Sequence, residues 1–227
     1  MSVKSRMQST LLSWSYKVYL RFFGRGSDLF QVPERIVEYP FAVEMAMRLP
    51  KGSTVAVFGC HGDLLTTLLP TLGLDTHGLD VKDFRLPWKG FTFHKEDARK
   101  TSFPDAHFDA VFAVSTVEHI GLFDADDTGD QKAAREMCRI LKPGGLFVLT
   151  VPYAATSAVI PAFERIYDED SLRKLLEGLE VESICLYATE PGALWHPIRL
   201  DQAPVPQGRT SCTALVTAHR STGEPHT

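Results

Sequence analysis

The chain has 227 residues, with Lys+Arg 24 against Asp+Glu 28, a formal net charge of -4, 44% hydrophobic and 23% charged residues. This is the composition of a globular chain of about one large domain, not of a disordered one. The mild acidity argues against nucleic acid as a partner, because a duplex binder usually carries a basic field. Cys60, Cys138, Cys185 and Cys212 are scattered and form no C-x-x-C. That excludes a disulfide scaffold and a thiolate zinc site, and a cytoplasmic protein with reduced thiols is expected. No metal site is expected. The uncharged run from Pro143 to Phe163 is broken by Gly144, Gly145, Pro152 and Pro161, so it is not a spanning helix. No apolar run with a small-residue cleavage site marks a secretory signal near the N-terminus.

In chain order, residues 1–32 come first. Lys4, Arg6, Lys17, Arg21 and Arg25 are there without an acid before residue 26, and Leu11, Leu12, Val18, Tyr19, Phe22 and Phe23 follow helical spacing. A basic amphipathic helix is expected, with two roles open to it: a lid over the body, or an anchor giving peripheral contact with an anionic membrane. The main domain is expected over 33–219, with a flexible tail at 220–227. Glu34 to Leu49 reads as helix with a break near Pro40. Ser53 to Phe58 is an apolar β-type run that stops at Gly59-Cys60-His61-Gly62-Asp63, and Leu64 to Leu72 resumes helical spacing. Strands follow at Thr76–Leu79, around Phe91 and Phe93, at Ala110–Val114 and at Leu146–Val151. Helices are expected at Asp130–Leu141 and Asp168–Leu176. The helix before Leu146 is stopped by Lys142-Pro-Gly-Gly145, a base at the dipole's negative end and then two breakers. Val181–Leu186 and Thr213–Ala218 complete seven strands, with a long loop between the last two.

Strands that alternate with helices give an α/β fold, a Rossmann-like doubly wound sheet that is mostly parallel, here with an antiparallel last strand. Ligands of such sheets lie beyond the C-terminal ends of the strands, near the switch point. The polar and glycine signals fall there: Gly59 and Gly62 after strand one, Asp80 after strand two, Asp97 after strand three, Ser115, Glu118 and His119 after strand four, Tyr153 after strand five. Glycine lets backbone approach a ligand. A carboxylate about 20 residues after the glycine turn commonly accepts from ribose hydroxyls, and Asp80 has that spacing. The dinucleotide fingerprint needs glycine where this chain has His61 and Leu64, so NAD fits poorly. A cofactor without phosphates, S-adenosylmethionine, fits better.

Six segments, in this order, carry a family resemblance. They are Val55-Ala-Val-Phe-Gly-Cys-His-Gly-Asp-Leu-Leu65, His77-Gly-Leu-Asp80, Lys95-Glu-Asp-Ala98, Phe103 to Phe112, Ser115-Thr-Val-Glu-His-Ile-Gly-Leu122 and Arg139-Ile-Leu-Lys-Pro-Gly-Gly145. With them the chain resembles the class I S-adenosylmethionine-dependent methyltransferases over roughly residues 33–186. Glu38-Tyr-Pro40 and Arg165-x-Tyr-Asp168 add a likeness to bacterial members linked to polysaccharide and glycolipid biosynthesis. The resemblance implies that Gly59, Cys60, His61 and Gly62 pass along the methionine part of the cofactor. It implies that Asp80 and Val81 meet the ribose, that Asp97 and Ala98 flank the adenine, and that Ser115 sits beside the sulfonium. One departure is plain: the family usually has an acid where this chain has Val57.

Methyl transfer to a hydroxyl needs alignment and a group to take the proton. His119 is the first candidate, with Glu118 to orient it or hold substrate. Tyr153, Arg165 and Tyr167, with Trp195 and His196, are candidates to line a pocket for a small-molecule or glycan acceptor, since aromatic and guanidinium groups suit sugar rings and anionic glycans. His94 and His107 are expected at the surface. A catalytically degenerate binding protein on the same sheet is the alternative, and Val57 is its support. A nucleic-acid methyltransferase is disfavoured, because Ser115-Thr-Val-Glu118 stands where an Asn/Asp-Pro-Pro-Tyr element would be.

Overall fold

The computed structural model describes residues 34–190, 193–206 and 211–222. The expected basic N-terminal helix and most of the expected tail lie outside the described residues. Helix α1 (Arg35–Ala46) is followed by β1 (Thr54–Phe58), α2 (Leu65–Thr71), β2 (Asp75–Asp80), β3 (Phe91–Lys95) and β4 (Phe108–Val114). A 3-10 turn at Val117–His119 leads to α3 (Gly129–Ile140), β5 (Leu141–Pro152) and a hairpin of β6 (Ala158–Ile160) and β7 (Glu164–Ile166). Then come α4 (Glu169–Leu175), β8 (Leu179–Ala188), β9 (His196–Ile198) and β10 (Cys212–Arg220).

The main sheet runs β3-β2-β1-β4-β5-β10-β8-β9. The strands β1 to β5 pair parallel, and β10 is antiparallel to both β5 and β8. The chain leaves β1 in one direction to build β2 and β3, then returns to the other side for β4 and β5. The switch point therefore lies between the ends of β1 and β4, where a crevice forms.

Alternation along the central strands builds two cores. Val55 and Val57 join Ala110, Phe112 and Val148 beneath α1 and α2. Ala56 and Phe58 join Val111, Ala113, Phe147 and Leu149 beneath α3 and α4. A strand covered on both faces has no polar period, which is why these runs read as uniformly apolar. Full burial of Met45 of α1 is worth about 1.5–3 kcal/mol.

Three expectations need correcting. Pro40 does not break the first helix: it lies inside α1 on an exposed face. There it removes one intrahelical hydrogen bond, and the carbonyl it frees is that of the solvent-facing Ile36. The long loop before the last strand supplies an eighth strand, β9, which pairs antiparallel with β8 from Leu186↔Ile198 to Ala188↔His196. Its Pro197 is tolerated because β9 is the sheet edge. His94 and His107 are half-buried rather than surface residues. His77 Nδ1 lies 2.9 Å from His94 Nε2, and Phe103 and Phe108 pack edge-on against this group.

Candidate active site

The turn after β1 is held open by its own backbone. Gly59 has φ +69, and a Cβ there would stand 2.4 Å from Thr116 Oγ1. Thr116 ties the two strand ends at the switch point, donating to the carbonyl oxygens of Phe58 (3.2 Å) and Val114 (3.0 Å). Only glycine fits between. The next residue, Cys60, is fully buried, and burial with Asp80 and Asp63 nearby pushes its thiol up to about 12. It is a filler and not a nucleophile at neutral pH. At Gly62 a Cβ would meet nothing within 4 Å, so this side of the loop is open.

Asp80 ends β2 and faces that loop. Its Oδ2 accepts from His61 N at 3.1 Å and its Oδ1 from Lys82 N at 2.8 Å. Each oxygen keeps acceptor capacity after one such bond. The side chain is therefore directed across the strand ends, where a ribose would present two hydroxyls. Val81 is 60% exposed beside it. The ring of His61 stacks at a tilt on Phe84, 5.8 Å between centroids.

Asp97, after β3, is engaged on its own neighbour. Arg99 grips it with Nε and Nη2, at 2.6 Å for the shortest contact, and also reaches Asp124 and Asp126. The Arg99 guanidinium holds the Asp97 carboxyl below the usual carboxylate range. Ala98 packs against the core. Arg99 was not foreseen in the sequence, because its charge partners at 124 and 126 come from the loop after β4.

Beyond β4 the site is densely bonded. Ser115 has φ +39, a left-handed conformation that costs a non-glycine residue and is common at functional sites. Its hydroxyl donates to Glu38 Oε1 at 2.8 Å. Glu38 is fully buried, accepts from Thr213 Oγ1 at 3.1 Å, and pairs through Oε2 with Arg35. The first turn of α1 is thereby fastened to the ends of β4 and β10. Sequence reasoning quoted Glu38 only as part of a motif, since nothing local shows that it meets residues 77 and 175 positions away.

His119 places Nδ1 on the carbonyl oxygen of Phe163, in the β6–β7 hairpin. A carbonyl only accepts, so Nδ1 carries a proton, and in the neutral ring Nε2 is the acceptor nitrogen. The side chain is 40% exposed. Nε2 lies 3.6 Å from Glu118 Oε1, a contact and not a hydrogen bond. Glu118 is 1% exposed, and its Oε2 has no hydrogen-bond partner among the described residues. Burial pushes this carboxyl well above the ordinary range. Burial thus favours its protonated form, in which it can donate a hydrogen bond.

The structure does not bring the expected acceptor contacts into an open pocket. Arg165 is 8% exposed and donates to the carbonyl oxygens of Ile120 (2.6 Å) and Asp126 (3.2 Å). It staples the loop that carries His119. Tyr167 is 2% exposed and its hydroxyl donates to Asp130 Oδ2 at 2.9 Å. Tyr153 is 5% exposed and forms a bridge with Tyr167. All three are apolar or charged wall, held by protein. Trp195 flanks β9 and His196 begins it, and β9 is four strands from β4, roughly 19 Å at ordinary strand spacing. The long loop does return toward the site elsewhere: Ala155 N donates to Pro204 O at 2.9 Å.

Residues 57–149 match the family described as "Methyltransferase domain". Solved structures of similar fold include the [4+2]-cyclase SpnF, with a TM-score of 0.63, 16% identity, and 88% of this chain and 86% of that chain covered. The N-methyltransferase NodS from Bradyrhizobium japonicum WM9 gives a TM-score of 0.56 at 17% identity, over 83% of this chain and 96% of that one. The same enzyme has been solved in complex with S-adenosyl-L-homocysteine. An S-adenosylmethionine-dependent methyltransferase from Mesorhizobium loti gives 0.54 at 18% identity, over 81% and 98%. No helix among the described residues is long and apolar enough to cross a membrane. The chain thus has a Rossmann-like sheet whose residues 57–149 are similar to a methyltransferase domain, and that match supports S-adenosylmethionine as the cofactor.

Proposed function

We propose that this protein transfers a methyl group from S-adenosylmethionine to a hydroxyl of a small-molecule acceptor, of sugar or glycan type. The observation that carries the cofactor half is Asp80, a half-exposed carboxylate at the end of β2 aimed at the glycine loop. The bound cofactor would supply a methyl carbon on positively charged sulfur, so the protein's task is alignment and proton removal. Asp80 accepts from the ribose hydroxyls. Gly62 leaves one side of the loop open to backbone approach, and the ring of His61 is turned onto Phe84. His119 takes the acceptor's proton at Nε2 while its Nδ1–H stays on Phe163 O. As the oxygen–carbon bond forms the sulfur–carbon bond breaks, leaving a methyl ether, S-adenosylhomocysteine and a protonated imidazole. The glycan preference rests on the likeness carried by Glu38-Tyr-Pro40 and Arg165-x-Tyr-Asp168. Four free cysteines fit a reducing compartment, the cytoplasm.

The cyclase among the similar folds is a reminder that the sheet alone does not choose the reaction. A degenerate, binding-only protein is the second reading, favoured by Val57, buried at the position of the expected acid. The test is methyl transfer from methyl-labelled S-adenosylmethionine to a panel of sugars, phenols and amines. Labelled ether product supports the proposal. Labelled amine product alone overturns the hydroxyl assignment. Tight S-adenosylhomocysteine binding with no transfer to any class favours the second reading.

A further inference from the structure

The expected acid of strand one is missing, and its position cannot easily hold one. Val57 is fully buried among Ala42, Met45 and Leu65, beneath α1 and α2. A charge there would lose its hydration without a partner. Yet a carboxylate does sit in the same loop, on the same side of the sheet. Asp63 is 8% exposed. Its N–H donates to Cys60 O at 3.2 Å, its carbonyl accepts from Thr66 Oγ1 at 2.6 Å, and its Oδ1 accepts from Leu65 N at 2.7 Å. The backbone on both sides is therefore pinned, and the carboxylate is presented in one place.

The charges around it do not balance. Arg35, Glu38 and Tyr39 face it from α1 and Cys60 from its own loop. Glu38 already holds Arg35 on Oε2, and Ser115 and Thr213 on Oε1. That pair is neutral, so Asp63 is left as the excess negative charge of the cluster. The Cys60 thiol feels both Asp63 and Asp80. The loop thus carries one carboxylate at its own end, Asp63, and meets a second from the end of β2, Asp80, toward the sugar side.

We propose that Asp63 receives the α-ammonium group of the cofactor's amino-acid end, taking over from the acid absent at position 57. This rests on the reading of the loop as an S-adenosylmethionine site. Burial pushes the Asp63 carboxyl up to about 6, the mark of a buried acid short of a cation. An ammonium beside it supplies one.

Calorimetric titration of the full chain tests this with two ligands. S-adenosylhomocysteine has the amino-acid end, and 5′-methylthioadenosine lacks it. Asp63→Asn keeps the acceptor for Leu65 N and removes the charge. It is expected to weaken S-adenosylhomocysteine by about tenfold or more while leaving methylthioadenosine unchanged. Equal losses for both ligands would make Asp63 a loop cap and overturn the proposal, as would no loss for either. A second measurement needs no variant. Near pH 6 the parent is expected to release up to about half a proton on binding S-adenosylhomocysteine and none on binding methylthioadenosine, read from the heats in two buffers. Equal proton release for both would overturn it too. A parent that binds neither ligand sinks the cofactor reading, and this inference with it.

Discussion

The two halves of the crevice are built differently. At the β1–β2 rim the polar side chain of Asp80 is turned to backbone N–H donors. Asp80 accepts from residues 61 and 82, and the loop between Gly59 and Gly62 stays open on one flank. On the β4–β5 side the polar groups are buried and bonded across long sequence distances, as in Ser115 to Glu38 and Arg165 to Ile120. The first half is the more open one, and our proposal puts the cofactor there. The second is a rigid frame that fixes one exposed imidazole, His119, in one tautomer.

That contrast can be broken most severely at Arg165. Arg165→Met leaves the carbonyl of Ile120 without its donor, leaves that of Asp126 with Gly129 N alone, and takes from Asp130 its nearby cation. A loss of about 3–5 kcal/mol in urea unfolding is expected. A loss below about 1 kcal/mol would show that the frame is not what holds the His119 loop. Next, His119→Ala is expected to lower kcat by about 10²–10⁴ with S-adenosylhomocysteine affinity unchanged. A matching fall in affinity would move His119 to the cofactor half.

The cofactor half is sharpened by pH. The carboxyl of Asp63 is raised to about 6 when folded, above its ordinary 3.8. Between those values the folded state holds a proton that the unfolded state has lost. Stability from this group is thus full below about pH 4 and lost as pH rises through about 6, a fall of up to about 3 kcal/mol. Asp63→Asn is expected to flatten that part of the unfolding profile; an unchanged slope would contradict it. The smallest effect is expected at Glu118. Because burial favours its neutral form, Glu118→Gln, which mimics that form, should retain kcat to within about threefold. A much larger loss would mean that its anionic form is used.

The same contrast explains what the sequence revealed. The succession of strands, the glycine turn and the place of Asp80 at the end of β2 were legible because each signal is local: an apolar run, a turn, an acid at a fixed spacing. The misses share another cause. Arg165 and Tyr167 carry side chains that suit a sugar, but their partners, Ile120, Asp126 and Asp130, lie 37–45 residues away. Residue type alone could not show that those bonds were already made. Glu38 and Arg99 were missed for the same reason. The strand β9 was missed because a three-residue run with a proline has almost no pattern of its own.

The central claim is that Asp80 holds the sugar of a cofactor nucleoside at the rim of β1 and β2. Isothermal titration of S-adenosylhomocysteine into the parent and into Asp80→Ala tests it most directly. Saturable binding by the parent, weakened by about tenfold or more in the variant with its melting transition intact, is the expected result. Equal affinity in the two proteins, or no binding by the parent at millimolar ligand, would contradict it.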